Sequence, residues 1–133
     1  MKKDILNRQD IILLVDTFYN KVEQNTQIGP IFTEVAKVNW AHHLPKMYDF
    51  WESILFGKAI YKGNPMLTHF ALREKTSLKE EEFNAWKSLF YQTVDELFEG
   101  KNADTIKQKA QSIADLMHFK LNAPNPHITI KNQ

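Results

Sequence analysis

Cysteine is missing from all 133 residues. Its absence excludes disulfides, thiolate metal sites, iron–sulfur clusters and cysteine nucleophiles. Glycine and proline are scarce, at 4 and 5, where an average chain carries about 12% of the two together. So few turn formers, and no hairpin dipeptide, argue against an all-β fold. Neither sign of charge dominates: Lys and Arg number 17 against 16 Asp and Glu, a net charge of +1. That is not the field of a dedicated nucleic-acid binder or of a protein held on an anionic membrane. Long apolar runs are also lacking. The longest, Ile11 to Val15, falls far short of the roughly 20 residues that span a bilayer. The basic start Met1-Lys2-Lys3-Asp4 leads into no signal peptide, because Asn7, Arg8, Gln9 and Asp10 interrupt it. The expectation is a soluble, cytoplasmic protein with no membrane and no nucleic-acid partner.

What is abundant is aromatic. Nine Phe, four Tyr and three Trp stand beside four Met and five His, in a chain whose length suits one domain. Four segments carry helical period, and none of convincing length alternates like a strand. The first is Arg8 to Gln24, with Asn7 as its cap and a stripe of Ile12, Val15, Tyr19 and Val22, flanked by Ile11 and Phe18. The second is Trp40 to Phe56, with Asn39 before it and Gly57 to stop it. Pro45 is tolerable only in a first turn, so an irregular or late start is expected there. The third is Leu78 to Phe98, opened by a Ser77-Leu78-Lys79-Glu80 capping box and marked by Phe83, Trp86, Phe90, Val94 and Leu97. The fourth is Ala103 to Leu121, with Ile106, Ala110, Ile113 and Met117 on one face. Residues 1–121 then form the domain, and 122–133 read as a mobile tail.

Between the second and third helices lies Gly57 to Ser77. A connection of that length inside a compact domain is usually functional. It holds Ile60, Tyr61, Met66, Leu67, His69, Phe70 and Leu72, which need something to pack against. The helices alone do not complete this core.

On the second helix, Met47, Phe50 and Ile54 fall within about 40° of His43 at 100° per residue. His43 therefore points along an apolar stripe, while His42 shares a face with Lys46, Asp49 and Ser53 and is solvated. On pattern alone, His43 reads as a core histidine before it reads as a ligand or an acid–base group. His69 reads as a half-exposed loop residue before a metal ligand, although an imidazole bracketed by Met66, Leu67 and Phe70 suits iron or zinc. Tyr19 and Trp86 lie on buried stripes, where packing is the simpler account, and each carries one polar handle. His118 shares a face with Lys107 and Gln111 and reads as a surface residue, and His127 is in the tail.

Other chemistries fail on motif. There is no H-E-x-x-H, no phosphate loop and no G-x-S-x-G. Asp115 and His118 make one carboxylate–histidine pair where a bundle di-iron site needs two and further Glu. Glu80, Glu81 and Glu82 suit a helix N-terminus on electrostatic grounds. As a set, two histidines in apolar surroundings amid aromatic and Met residues would suit a flat apolar cofactor with one axial imidazole. Haem is such a cofactor, and the missing cysteines exclude thiolate ligation and c-type attachment.

Five pieces in order carry a resemblance. They are Phe18-Tyr19-Asn20-Lys21-Val22, Ile28-Gly29-Pro30-Ile31-Phe32, Trp40-Ala41-His42-His43-Leu44 running into Asp49-Phe50-Trp51, Tyr61-Lys62-Gly63-Asn64-Pro65-Met66 leading to His69, and Phe83-Asn84-Ala85-Trp86 with Leu89-Phe90. Together they resemble the group III truncated haemoglobins over roughly Ile5 to Leu121. The resemblance implies an all-α, two-over-two helical sandwich around haem b (iron protoporphyrin IX), with a long loop carrying the proximal histidine. It implies that His69 binds the iron. It places Tyr19, His43 and Trp86 on the distal side, facing dioxygen or another diatomic ligand. Lys46 matches a position that reaches a haem propionate. Phe32, Met47, Phe50, Trp51, Met66 and Phe70 are candidates for the haem pocket. Relatives often have proline after the segment that here reads His69-Phe70-Ala71-Leu72, where this chain has Arg73, a second candidate for a propionate. Oxygen carriage, nitric-oxide detoxification, peroxide reduction and redox sensing all suit a polar distal pocket. A separate reductase and a monomeric state are the accompanying expectations. The alternative is a haem-free, globin-like interaction or sensory module.

Overall fold

The structure is a computed structural model that describes residues 2–35, 37, 39–61, 63 and 79–122. Its first helix, α1 (Arg8–Gln24), begins where Asn7 directs it: the Asn7 side-chain oxygen accepts the Asp10 N–H at 3.1 Å. That bond satisfies one of the donors every helix start leaves over. α1 buries Ile11, Leu14, Val15, Phe18, Tyr19 and Val22. Ile12, which the sequence places on the stripe, is only half-buried. Five consecutive apolar residues fit two adjacent faces equally well, and contact with the rest of the fold selects the one containing Leu14.

Asn25 ends α1 and turns the chain, its side-chain oxygen accepting the N–H groups of Gln27 and Ile28, both at 2.9 Å. Gly29 then passes so close to the end of α1 that a Cβ would sit 2.8 Å from the Glu23 carbonyl oxygen. A single π-helical turn, Ile31–Val35, follows.

α2 spans Trp40–Phe56 and holds Pro45 in its interior. The late start expected from Pro45 does not occur. The helix opens at Trp40, with the His42 and His43 N–H groups bonded to the Asn39 carbonyl at 3.1 and 2.8 Å. Pro45 forgoes only the bond to the carbonyl of Ala41, an exposed residue where water can substitute. Gly57 closes α2 with φ 69°, the left-handed C-terminal stop that glycine favours. The chain then doubles back, because Ser53 Oγ accepts the N–H groups of Ile60 (3.3 Å) and Tyr61 (3.0 Å).

α3 (Glu80–Leu97) opens later than the sequence predicts. The Glu82 carboxylate reaches back to the Lys79 N–H at 3.1 Å; Ser77 and Leu78 lie outside the described residues. α4 (Lys101–Asn122) starts two residues before Ala103. Its cap comes from a distant part of the chain: Asp4 accepts the N–H groups of Asn102 and Ala103, each at 2.9 Å. Of the tail expected at residues 122–133, Asn122 still belongs to the helix, and 123–133 lie outside the described residues.

α1 packs on α2 and α3, and α4 packs on α3 and α2. The result is two helix pairs laid across each other. Ile11, Leu14, Val15, Phe18, Phe90, Val94 and Ile106 are completely buried between them; each such side chain contributes about 1.5–3 kcal/mol of burial free energy.

Two carboxylates, those of Asp10 and Glu52, are buried among the described residues. Glu52 is 5% exposed, bonded to Arg8 at 2.6 Å and to Lys58 at 3.1 Å; Arg8 also reaches Asp49 at 2.9 Å. The Arg8 hydrogen bond, against the opposing effect of burial, holds the Glu52 carboxyl below its ordinary value of 4.5. Arg8→Met should therefore destabilise the fold at neutral pH by about 2 kcal/mol, below the full cost of orphaning a buried charge because Lys58 stays. A carboxylate with a lowered folded pKa stabilises above its unfolded value, and loses that contribution as pH falls through the folded one. Urea denaturation at pH 7 and pH 3 should accordingly show the Arg8→Met deficit shrinking at the lower pH.

Candidate functional site

Four rings meet where α1, the π-helical turn and α2 converge. Tyr19 of α1 lies edge-on to His43 of α2 at 5.3 Å and to Phe32 at 6.0 Å, and tilted against Trp40 at 5.4 Å. Trp40 stacks on Phe32 at 6.1 Å and meets His43 edge-on at 5.8 Å. Helical spacing explains the α2 pair, since residues three apart share a face. The close turn at Gly29 precedes the π-helical turn that brings Phe32 to them.

Trp86 approaches from α3. Its ring meets Phe18 edge-on at 5.4 Å, and Phe18 in turn meets Tyr19 at 4.9 Å. Tyr19 and Trp86, on different helices, thus flank one buried phenylalanine. Phe90 backs Trp86 in a nearly parallel stack, 8° between planes at 5.4 Å.

The polar handles in this wall are distinctive. Tyr19 is 6% exposed, and burial pushes its phenol far above the ordinary value of 10.0. It stays protonated, a donor at any physiological pH. Among the described residues, neither its hydroxyl nor the Trp86 indole N–H makes a hydrogen bond. Tyr19 is buried as a residue, yet its hydroxyl has no protein partner among the described residues, and a donor left over on an aromatic wall suits a ligand site. An apolar aromatic wall carrying O–H and N–H donors fits the distal side of a haem pocket. Tyr48 shows the contrast. Its hydroxyl donates to Asp16, and burial together with that bond pushes its pKa up to about 12.

The other candidates fall into three groups. Met47 and Phe50 are half-buried on the same α2 face and pack on the core, and Lys46 is exposed one turn after His42 and His43. Trp51 is 2% exposed and stacks on Phe90 at 4.9 Å, taken up between α2 and α3. Met66, His69, Phe70 and Arg73, and with them the iron ligand that the resemblance implies, lie outside the described residues. His42 is exposed as its wheel position predicts. His118 differs from expectation: it is half-buried, stacked on Phe83 at 5.2 Å. Trp40 is the site residue missed in the sequence. Its place one turn before His43, on the same helix face, was the available signal.

The bacterial-like globin family model matches residues 4–122. The chain is 31% identical over 123 residues to the group 3 truncated hemoglobin of Campylobacter jejuni, covering 90% of this chain and 93% of that protein. Its fold is similar to the crystal structure of the group III truncated hemoglobin from Campylobacter jejuni. There the TM-score is 0.79 and the identity 29%, over 91% of this chain and 95% of that one.

Proposed function

Because the chain belongs to the bacterial-like globin family and is a haem-binding truncated globin of group III, we propose that it binds dioxygen or another small diatomic ligand on the Tyr19–His43–Trp86 side of haem b. The observation that carries this reading is the hydroxyl of the buried residue Tyr19, a donor without a partner among the described residues. When bound, haem supplies an iron centre that takes up diatomic ligands and exchanges electrons.

The chain's own residues do the rest. His69 would supply the iron ligand, and Lys46 and Arg73 would pair with the propionates. Met66 and Phe70 would join Phe32, Met47 and Phe50 in the apolar surround, with Trp51 backing them from between α2 and α3. Tyr19 O–H and Trp86 N–H point their donors at a ligand's outer atom, where negative charge collects. Each such bond contributes about 1 kcal/mol net, and more in a dry pocket. The same donors polarise the O–O bond of a peroxide, so peroxidase-like turnover and nitric-oxide detoxification are the enzymatic extensions of this site. His43, edge-on to Tyr19 and Trp40, excludes water from the donors and holds a proton in reach of them. Among the described residues no helix is long and apolar enough to cross a membrane. We read the protein as a cytoplasmic monomer served by a separate reductase.

The test is the oxygen dissociation rate, measured by stopped flow. Tyr19→Phe should raise it about fivefold or more, the equivalent of one hydrogen bond of ~1 kcal/mol. Trp86→Phe should raise it in the same direction. Unchanged rates in both variants would remove the donor roles. A purified wild-type chain that stays colourless after addition of hemin would favour the haem-free module instead.

A further inference from the structure

The ring contacts do not stop at the site. Trp86 stacks on Phe90 at 5.4 Å and 8°, and Phe90 stacks on Trp51 at 4.9 Å and 26°. Trp51 meets Phe50 edge-on at 5.0 Å, and Phe50 meets Tyr61 edge-on at 5.1 Å. Trp86 faces the proposed ligand. Tyr61 is half-buried just beyond the end of α2, packed on Phe50 and beside exposed Ile60 and Gly63, where Ser53 pins its backbone. An unbroken line of aromatic rings, with oxidisable indoles at its start and middle and an oxidisable phenol at its end, therefore joins the site to the surface.

We infer that Trp86, Trp51 and Tyr61 form an electron relay, so that a peroxide reduced at the buried site oxidises Tyr61 at the surface. The inference rests on the haem reading above. Electrons move inward: Trp86 yields one to the site, Trp51 refills Trp86 past Phe90, and Tyr61 refills Trp51 past Phe50. Phe90 and Phe50 act as contact surfaces only, since unsubstituted benzene rings are the hardest of these to oxidise. Tyr61 loses its phenolic proton to solvent as it loses the electron, and so ends as a neutral phenoxyl radical.

The balance is one hydrogen peroxide to two phenols on two protein molecules. The O–O bond breaks, two phenolic O–H bonds are lost, two O–H bonds form, and the products are two waters and two radicals. Each radical then takes a hydrogen atom from a small phenolic reductant, or two couple through a new carbon–carbon bond as dityrosine. The surface at Tyr61 thereby becomes a second substrate site, for one-electron donors too large to enter the buried one.

The other tyrosines define the specificity of this claim. Tyr19 reaches the line through Phe18, but its hydroxyl has no acceptor among the described residues to take the proton. Tyr48 and Tyr91 have no ring contact with the line among the described residues.

The experiment uses hemin-loaded full-length protein, with the Soret band recorded first and hydrogen peroxide then added. Freeze-quench electron paramagnetic resonance and dityrosine fluorescence are read alongside peptide mapping. A tyrosyl signal assigned to Tyr61 is expected, with dityrosine at that position. Tyr61→Phe should abolish both while leaving the resting Soret band unchanged, and Trp51→Phe should leave the radical on tryptophan. Tyr48→Phe and Tyr91→Phe should behave as wild type. A tyrosyl signal that persists in Tyr61→Phe, or that maps to Tyr48 or Tyr91, overturns the relay alone. A protein that takes up no hemin overturns the functional reading and the relay with it.

Discussion

His69→Ala is expected to lose most of its haem on purification, with the Soret band reduced accordingly and partly restored by added imidazole. The reasoning is chemical. A cysteine-free chain cannot offer thiolate, which leaves imidazole as the axial group typical of oxygen-binding haem proteins. The described histidines differ sharply in their availability for that role. His42 is exposed on the outer face of α2, His118 is stacked on Phe83 at α4, and His43 is wedged edge-on between Tyr19 and Trp40. His43 stands with the donors Tyr19 and Trp86, on the wall that the proposed reading gives to the ligand. His43→Ala is therefore the paired control. It should keep full haem stoichiometry and change ligand kinetics, whereas His69→Ala changes stoichiometry. An unaltered Soret band and haem content in His69→Ala would overturn the assignment.

Local signals and assembled features differed in how far the sequence revealed them. Asn7, Gly57 and the 3–4 spacing of Phe83, Trp86, Phe90 and Val94 specify helix ends and faces by local chemistry, and the structure places them as that chemistry requires. Pro45 misled because its cost depends on where the freed carbonyl points, and Ala41 faces water. The start of α4 was misplaced because its cap, Asp4, is 98 residues away in the chain. The site shows the same division. Periodicity says that Tyr19, His43 and Trp86 face inward, but not that Tyr19 and Trp86 share Phe18 as a neighbour, nor that Trp40 and Phe32 stack beside them. Those contacts belong to the crossing of three segments. Family resemblance supplied the roles that geometry within one helix could not, and it alone speaks for His69.

Gly100→Ala is expected to be among the most damaging single substitutions in the described part of the chain. Gly100 has φ 145°, a region L-residues avoid at a cost of about 1–3 kcal/mol. The added Cβ would also lie 2.6 Å from Asp4 Cγ, and so push aside the carboxylate that caps α4. Loss of such a cap costs about 1 kcal/mol or more, giving ~3 kcal/mol in all, a large share of the 5–15 kcal/mol that holds most domains together. The two costs are separable. If the clash acts through Asp4, then Asp4→Ala makes room for the methyl group, and the double variant loses less than the sum of the singles. The cap also has a pH signature. Burial would raise the Asp4 pKa, but the N–H groups of Asn102, Ala103 and Ile5, with Lys3 nearby, outweigh it and hold the carboxyl below 3.8. Its contribution is therefore complete above that value and disappears as pH falls through the lower, folded one. Denaturation of Asp4→Ala should show a constant deficit between pH 7 and pH 5 that closes in stronger acid. Strict additivity of the two substitutions would instead mean that Gly100 acts through its backbone angle alone, with the Asp4 cap surviving the methyl group.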